Sequence, residues 1–586
     1  MRSTGASGPP REDDADRLPP LAVAFAGGHR IAVETEAFVR RESIMNTVGS
    51  LALILPLLFV VFRSFWLVGV GSLPSALSLV MTLGLLGFAG ARLSAAATGA
   101  AAMLFGLGVD GVVLLYVAHR SAIADSPSAD VPSAIAGPSA SMLLGMWTTA
   151  ATFYGLAFVD FPSLQQLGLL IGHGMVLCGL LTLVMVPALL PRRPPVRRVR
   201  RLQMPGVATW IARRRVPVLI GALVCTAVLG LFATRIRINP SLDRLRSTTG
   251  AAQLERQIGT AFGLPGEVYV VLAEGTELEP LLQTNEELAR RLQGELPDLA
   301  FAPPSRLLPS AAAQARTAAH ITQAGLTPAG VRDALEAARV AEGFTPGAFD
   351  PFAARLPRLL DGSERITYDG YVSHGLQDAI DRFVIRDGDR WALATYIFPS
   401  SDAQAAPIQT IVDAVDATQA LTGLAFVNRE LSRQFLPQFI RGLVIGSVIV
   451  IALVVAAFRD VKLSCFALLP TAIGLVWTAG ALAIAGVELD LFAVFAVVTL
   501  VGIGVDYGVH LVHRYQERGD AFSATSELAP VILMAAAITL LGYGTLVTSS
   551  YPPLRSIGIV STVSIVALAV ASVLVLPALL LGRTSR

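Results

Sequence analysis

The sequence predicts a mainly α, polytopic membrane protein: two homologous transmembrane helix bundles and an α+β extracytoplasmic domain. Three observations predict it. Only 15% of the 586 residues are charged and 53% are hydrophobic, whereas soluble domains carry about 25% charged residues. Eleven apolar runs have the length of about 20 residues that a hydrocarbon core about 30 Å thick requires. The two halves of the chain repeat each other in register.

The runs are Met45 to Phe62, Trp66 to Phe88, Ala95 to Ala118, Ile135 to Phe158, Leu164 to Leu190, Val216 to Thr234, Phe439 to Ala457, Leu463 to Ala485, Leu489 to Val512, Ser526 to Thr548 and Leu554 to Leu581. Short loops kept in the cytoplasm are enriched in basic residues. Arg192, Arg193, Arg197, Arg198, Arg200, Arg201 and Arg213 to Arg215 crowd the loop between the fifth and sixth runs, so that loop is assigned to the cytoplasm. Alternation then puts Arg63, Arg120, Arg459, Arg514, Arg518 and Arg583 inside, and Ile238 to Gln438 outside.

The repeat is read without gaps through three helices. Phe62-Arg63 matches Phe458-Arg459, Leu73-Pro74 matches Leu469-Pro470, and Gly90 matches Gly486. Gly106, Gly108 and Asp110 match Gly502, Gly504 and Asp506. After a shorter loop in the second copy, Thr149 matches Thr539, Phe161-Pro162 matches Tyr551-Pro552, Gly168 matches Gly558, and Pro187 to Leu190 matches Pro577 to Leu580.

These boundaries give residues 1–44 as the remnant of a first extracytoplasmic domain and 45–190 as the first five-helix bundle. A basic cytoplasmic loop follows at 191–215, a membrane helix at 216–234, the α+β domain at 235–438 and the second bundle at 439–586. The polar first twenty residues contain no apolar run of signal-peptide type. Leu21 to Arg41 occupies the place that Leu421 to Leu436 holds before the second bundle, which reads as an N-terminus cut short inside an outer domain. Within the outer segment, Glu267 to Ala273 and Trp391 to Phe398 read as strands, Thr284 to Leu296 and Ala406 to Leu421 as helices, and Ala311 to Ala341 as a helical insertion in a βαβ-type sandwich.

Asp110 and Asp506 carry the strongest functional signal. An ionised aspartate at the centre of a membrane helix costs about 2.5–3.5 kcal/mol even on lenient insertion scales. Both stand at matching points of third helices, and burial disfavours a carboxylate's charged form, which is what proton exchange near neutral pH requires. Tyr507 adjoins Asp506, and His510 lies one turn on along the same face, placed equally well to relay protons or to pack. Gly106, Gly108, Gly502, Gly504 and Gly508 read as sites of close helix contact, Gly504 and Gly508 having small-xxx-small spacing. Thr149 and Thr539 are placed to offer hydroxyls to the carboxylates or to bond back to their own helices. Pro74 and Pro470 are expected to kink the second helices. His173 has no partner in the second copy and reads as structural, and His513, beside Arg514, as a solvated helix end.

Other classes of function are excluded or ranked low. A net charge of +2 offers no basic face for nucleic acid. Cys178, Cys225 and Cys465 all lie in apolar runs, giving no metal site and no disulfide framework. No cofactor is expected, and no elbow-type serine motif points to an enzyme.

The paired Gly-x-Gly-x-Asp helices, and Gly502-Ile503-Gly504-Val505-Asp506-Tyr507-Gly508-Val509-His510 followed by His513-Arg514-Tyr515, resemble the resistance-nodulation-division (RND) superfamily, in particular its MMPL branch and the hopanoid-associated exporters. The resemblance covers nearly the whole chain. It implies a proton-driven exporter of lipids or other hydrophobic molecules in a bacterial cytoplasmic membrane, ferredoxin-like porter domains, and homo-oligomers of two or three chains. Its proton-relay positions fall on Asp110, Asp506 and Tyr507. The chain departs from the branch at Gly111, which stands where a tyrosine is frequent, and in having no membrane-centre lysine. A non-transporting lipid- or sterol-sensing protein, or a secretion-assembly protein, is the alternative within the same fold.

Overall fold

Helices dominate because a chain crossing hydrocarbon must satisfy its backbone polar groups within each segment. The structure, a computed structural model, describes residues 25–90, 101–125, 131–190, 203–239, 249–262, 268–360, 365–490 and 492–582. Residues 1–24 and most of the arginine loop after Leu190 lie outside the described residues, so part of the N-terminal remnant and the loop that sets the orientation do too.

The first bundle comprises α1 (Gly28–Phe62), α2 (Phe65–Phe88), α3 (Ala101–Asp125), α4 (Val131–Gly155) and α5 (Pro162–Leu189). A short α6 (Pro205–Arg213) precedes α7 (Arg215–Ala233). Ten helices of the described residues are long and apolar enough to cross a membrane. The fourth expected run is the exception: α4 is there with 25 residues, but its serines, threonines and glycines lower its apolarity.

Two apolar runs are the membrane-depth parts of longer helices. The first continues back to Gly28, and the seventh, expected from Phe439, lies in α12 (Leu424–Phe458). Polar residues such as Glu34 and Arg433 extend each helix beyond what hydrophobicity reveals. These 35-residue helices sharpen the repeat. Each is preceded by a glycine with positive φ, Gly27 at 140° and Gly423 at 133°, and followed by an arginine at φ 51°, Arg63 and Arg459.

The second bundle continues with α13 (Val461–Ile484), α14 (Ala493–Arg518), α15 (Ala521–Gly544) and α16 (Pro552–Val570), the last prolonged by one π turn, Ala571–Val575, and Leu576–Leu580. Pro74 and Pro470 both sit inside continuous helices. The fourth helices end in matching 3-10 turns, Leu156–Phe158 and Thr545–Thr548. Backbone approaches Gly168 and Gly558 closely at those turns, which explains the matched glycines.

The bundles exchange contacts in a reciprocal way. The third helix of each packs on the fourth of the other, α14 on α4 and α3 on α15. One continuous apolar core, including Leu104, Val113, Phe153, Phe495 and Ile538, fills the space between them.

The α+β unit spans Gln257–Leu431. Strands β1 (Tyr269–Gly275), β2 (Ala300–Ala302), β3 (Val384–Asp387), β4 (Arg390–Phe398) and β5 (Ala420–Thr422) form one antiparallel sheet in the order β2-β4-β1-β5, with β3 also paired to β4. Helices α8 (Leu278–Glu295) and α11 (Ala405–Val415) connect β1 to β2 and β4 to β5. Each pair is parallel with one antiparallel strand between, which makes two interlocked split βαβ units, the ferredoxin-like plan. Leu288, Leu292, Ile408 and Val412 from the two helices meet Tyr269, Val271, Phe301 and Ile397 from the sheet.

Two expectations for this unit are corrected. The helix expected from Ala406 to Leu421 stops at Val415, because Asp416 accepts from the Thr418 N–H at 2.9 Å in a turn and Leu421 then pairs with Val271 in the sheet. The insertion is two helices, α9 (Ala311–Gln323) and α10 (Pro328–Ala341), broken at Gly325 with φ 65° and restarted by the Thr327 cap.

Candidate functional site: paired carboxyls between the bundles

Asp110 on α3 and Asp506 on α14 face one shared cavity between the bundles, together with Tyr507 and His510. Both carboxyls are half-buried rather than sealed. The helix pairing described above decides their partners. Asp506 accepts from Thr148 Oγ1 at Oδ1, 3.0 Å, and from Thr149 Oγ1 at Oδ2, 2.9 Å, both on α4 of the opposite repeat. Asp110 accepts from Thr539 Oγ1 at Oδ2, 3.1 Å, on α15 of the opposite repeat. The matched threonines therefore serve each other's carboxyl.

A hydroxyl has one proton to donate, and two of these threonines have a second acceptor in reach. Thr148 Oγ1 lies 2.8 Å from the Gly145 carbonyl, and Thr539 Oγ1 lies 2.9 Å from the Ala535 carbonyl. Both uses foreseen for Thr539, towards a carboxylate and towards its own helix, coexist at one atom. For Thr149 the carboxylate is the partner given by geometry. Thr148 was not singled out by sequence. Its register counterpart is Ile538, so the repeat carried no signal for it.

The two sites are unequal. Asp110 Oδ1 is buried without a hydrogen-bond partner among the described residues. Tyr507 is 2% exposed, and its hydroxyl is unpartnered in the same sense, as is His510 Nδ1. Tyr543, one turn beyond Thr539 on α15, is a further buried tyrosine that sequence reasoning missed, its hydroxyl within no hydrogen-bond distance of a partner among the described residues. In the first repeat the matching positions are Gly111 and Phe153. Met142 and Met146 close over Gly111 and fill the space a tyrosine would take.

The glycines divide. A Cβ at Gly508 would run into the Ala467 carbonyl oxygen of α13, one at Gly504 would meet Thr471 and Leu568, one at Gly108 would meet Ser75 and Cys178, and one at Gly502 would lie 3.2 Å from the Thr149 Cα. Gly106 corrects the expectation of close contact, since a Cβ there would meet no neighbour within 4 Å. Gly145, not foreseen, lets the Asp506 carboxyl approach, a Cβ there lying 3.0 Å from Oδ1.

His513 is also corrected. Rather than ending a solvated helix, it is half-buried with Nε2 3.5 Å from Glu517 in an ion-pair cluster. Arg514 donates to Glu527 at 2.7 Å and to Glu517 at 2.8 Å, and Arg518 donates to Glu527 at 2.9 Å. His173 holds the structural place expected of it, 2.8 Å from the Leu169 carbonyl and edge-on to Tyr154. No cluster of potential metal ligands occurs among the described residues.

The family model for MMPL matches residues 12–220 and again residues 377–585, one match to each repeat and together more than half of the chain. The chain belongs to the MMPL family. It is a multi-pass membrane protein of RND type. Among curated relatives, the hopanoid transporter HpnN of Burkholderia multivorans is 25% identical over 341 residues, 56% of this chain and 38% of that protein. A protein of Methanocaldococcus jannaschii described only as a membrane protein is 30% identical over 144 residues, covering 23% of this chain and 37% of its own length. Another so described, from Streptomyces coelicolor, is 29% identical over 289 residues, 45% of this chain and 41% of its own. The matched part of this MMPL chain thus spans about two fifths of the length of each relative.

Proposed function

We propose that the chain works in proton-motive-force-driven export of lipid or other hydrophobic molecules across or out of a bacterial cytoplasmic membrane, as a transporter and not an enzyme. Asp110, Asp506, Tyr507 and His510 form the proton relay, with hydrophobic substrate, protons and membrane lipids as partners and a homo-oligomer of two or three chains as the working unit. The domain division, with the α+β unit outside, belongs to this reading. The observation that carries it is the crossed threonine pairing at the two carboxyls.

An ionised carboxylate accepts only, so Thr148, Thr149 and Thr539 then direct their protons across the bundle interface. Hydrogen bonds to a charged group are each worth about 1.5–3 kcal/mol. A protonated carboxyl turns one oxygen into a donor, and Thr148 and Thr539 can return their protons to Gly145 and Ala535 on their own helices. The proton state thereby changes what holds the third helix of one repeat to the fourth of the other. Parallel repeats rocking against each other are an established transporter plan. The relative named as a hopanoid transporter supports a polycyclic lipid as substrate class.

The test uses the full chain in proteoliposomes with a pH-sensitive dye inside, an imposed pH gradient and a radiolabelled hopanoid in the bilayer. Asp506→Asn is expected to abolish gradient-dependent hopanoid extraction and the accompanying proton flux together. Unchanged extraction and flux would sink the reading.

A further inference from the structure

We infer that the two carboxyls share a single proton route to the arginine-bearing face of the membrane, built from one repeat alone and passing through His510. This rests on the proton-coupled reading above and adds where the protons go.

Two cavities meet at one side chain. The inner cavity holds Asp110, Asp506, Tyr507 and His510. A second cavity, nearer the arginine-bearing helix ends, is lined by His510 again and then by His513, Arg514, Glu517 and Glu527. His510 is thus the polar group common to both. Its Nδ1 is buried without a hydrogen-bond partner among the described residues.

Helical spacing explains the alignment. His510 lies four residues after Asp506, His513 and Arg514 lie three and four after His510, and Glu517 lies four and three after those two, which places them along one face of α14. The stripe climbs about 16 Å at 1.5 Å per residue. It ends at Glu517 and at Glu527 of α15, both held by Arg514, with Arg518 also on Glu527.

The first repeat carries no such stripe at the matching positions. At the register positions of His510, His513, Arg514 and Glu517 it carries Leu114, Val117, Ala118 and Ser121, and opposite Glu527 it carries Gly137. These residues face the polar stripe: Leu114, Val117, Ala118 and Ser121 line the same outer cavity. Glu517 lies against Gly137, where a side chain would displace it. Apart from α14, the titratable groups facing His510 are Asp110 from α3 and Glu527 from α15, while α4 contributes Ser141 and no charge.

The transfer balances on the imidazole alone. One ring nitrogen accepts a proton from the carboxyl side as the other releases its own towards Glu517 and Glu527, which leaves a neutral ring in the other tautomer; a ring flip restores it. Arg514 donates to both glutamates and fixes them at the outer end of the route, and the reverse order carries protons inward.

The experiment follows proton flux through the full chain in proteoliposomes containing pyranine, driven by a valinomycin potential. The double variant Asp110→Asn with Asp506→Asn comes first. Flux that survives it ends the proton-coupled reading and this proposal with it. Where that variant is silent, His510→Leu, which installs the residue of the first repeat, is expected to lower flux on the order of a hundredfold, the scale of a lost proton-transfer group. Adding Leu114→His, across the same cavity, is expected to restore it. Wild-type flux in His510→Leu overturns the route while leaving the carboxyl reading intact. A second measurement does not depend on that variant: Ser141→Cys should be labelled by a membrane-impermeant methanethiosulfonate from the arginine-bearing face, and its remaining unlabelled in either orientation overturns the route.

Discussion

Thr149 of the first repeat donates to Oδ2 of Asp506 in the second at 2.9 Å, across 357 residues of sequence. Each fourth helix thus completes the carboxyl site of the other bundle, and neither bundle holds its own.

The first prediction tests that exchange. Replacing both Thr148 and Thr149 by Val leaves the ionised Asp506 without its donors, where a net contribution of about 1.5–3 kcal/mol per bond is at stake. Losing them disfavours the charged form, so the pH profile of proton-coupled transport should move to higher pH. A profile superimposable on that of the unmodified protein would show that the hydroxyls do not govern the carboxyl.

Gly145→Ala is expected to damage transport more than stability. The added methyl lies 3.0 Å from Asp506 Oδ1, so the carboxyl must give by a few tenths of an ångström where it meets the Thr148 and Thr149 hydroxyls. Overpacking of this kind costs about 1–3 kcal/mol. Flux and thermal midpoint measured on the same preparation separate the two effects, and equal losses would contradict the account.

Gly508→Ala should be the more destabilising change, because its methyl meets a backbone carbonyl, that of Ala467. Backbone cannot turn aside as a side chain does. Gly106→Ala, with no neighbour within 4 Å, is the matched control and should melt within a degree or two of the unmodified protein. Equal melting of the two variants would mean that α13 and α14 do not approach as described.

Asp490 caps α14, accepting from the Phe492 N–H at 3.0 Å and the Ala493 N–H at 2.7 Å. Asp490→Ala should cost about 1 kcal/mol, the usual worth of such a cap, and Asp490→Asn much less. A chemical denaturation series in detergent measures the ordering, and an alanine variant as stable as the asparagine one would argue against the cap.

The sequence by itself determined the membrane class, the repeat and the two carboxyl positions. Those follow from local quantities: run length against bilayer thickness, the cost of an acid in oil, and residues recurring at a fixed offset. It also found Thr149, Thr539 and Tyr507, because each recurs in the repeat or adjoins an aspartate. It overestimated Gly106, whose motif is the same as that of Gly502 but whose surroundings are open.

Tertiary structure decided the rest. That Thr539 serves Asp110 across 429 residues, and not the acid of its own bundle, depends on which helices pack together. Thr148, Gly145 and Glu527 join the site because α4 and α15 bring them there. Hydrogen bonding and packing act over a few ångströms in space and are blind to distance along the chain, so no periodicity in the sequence records them.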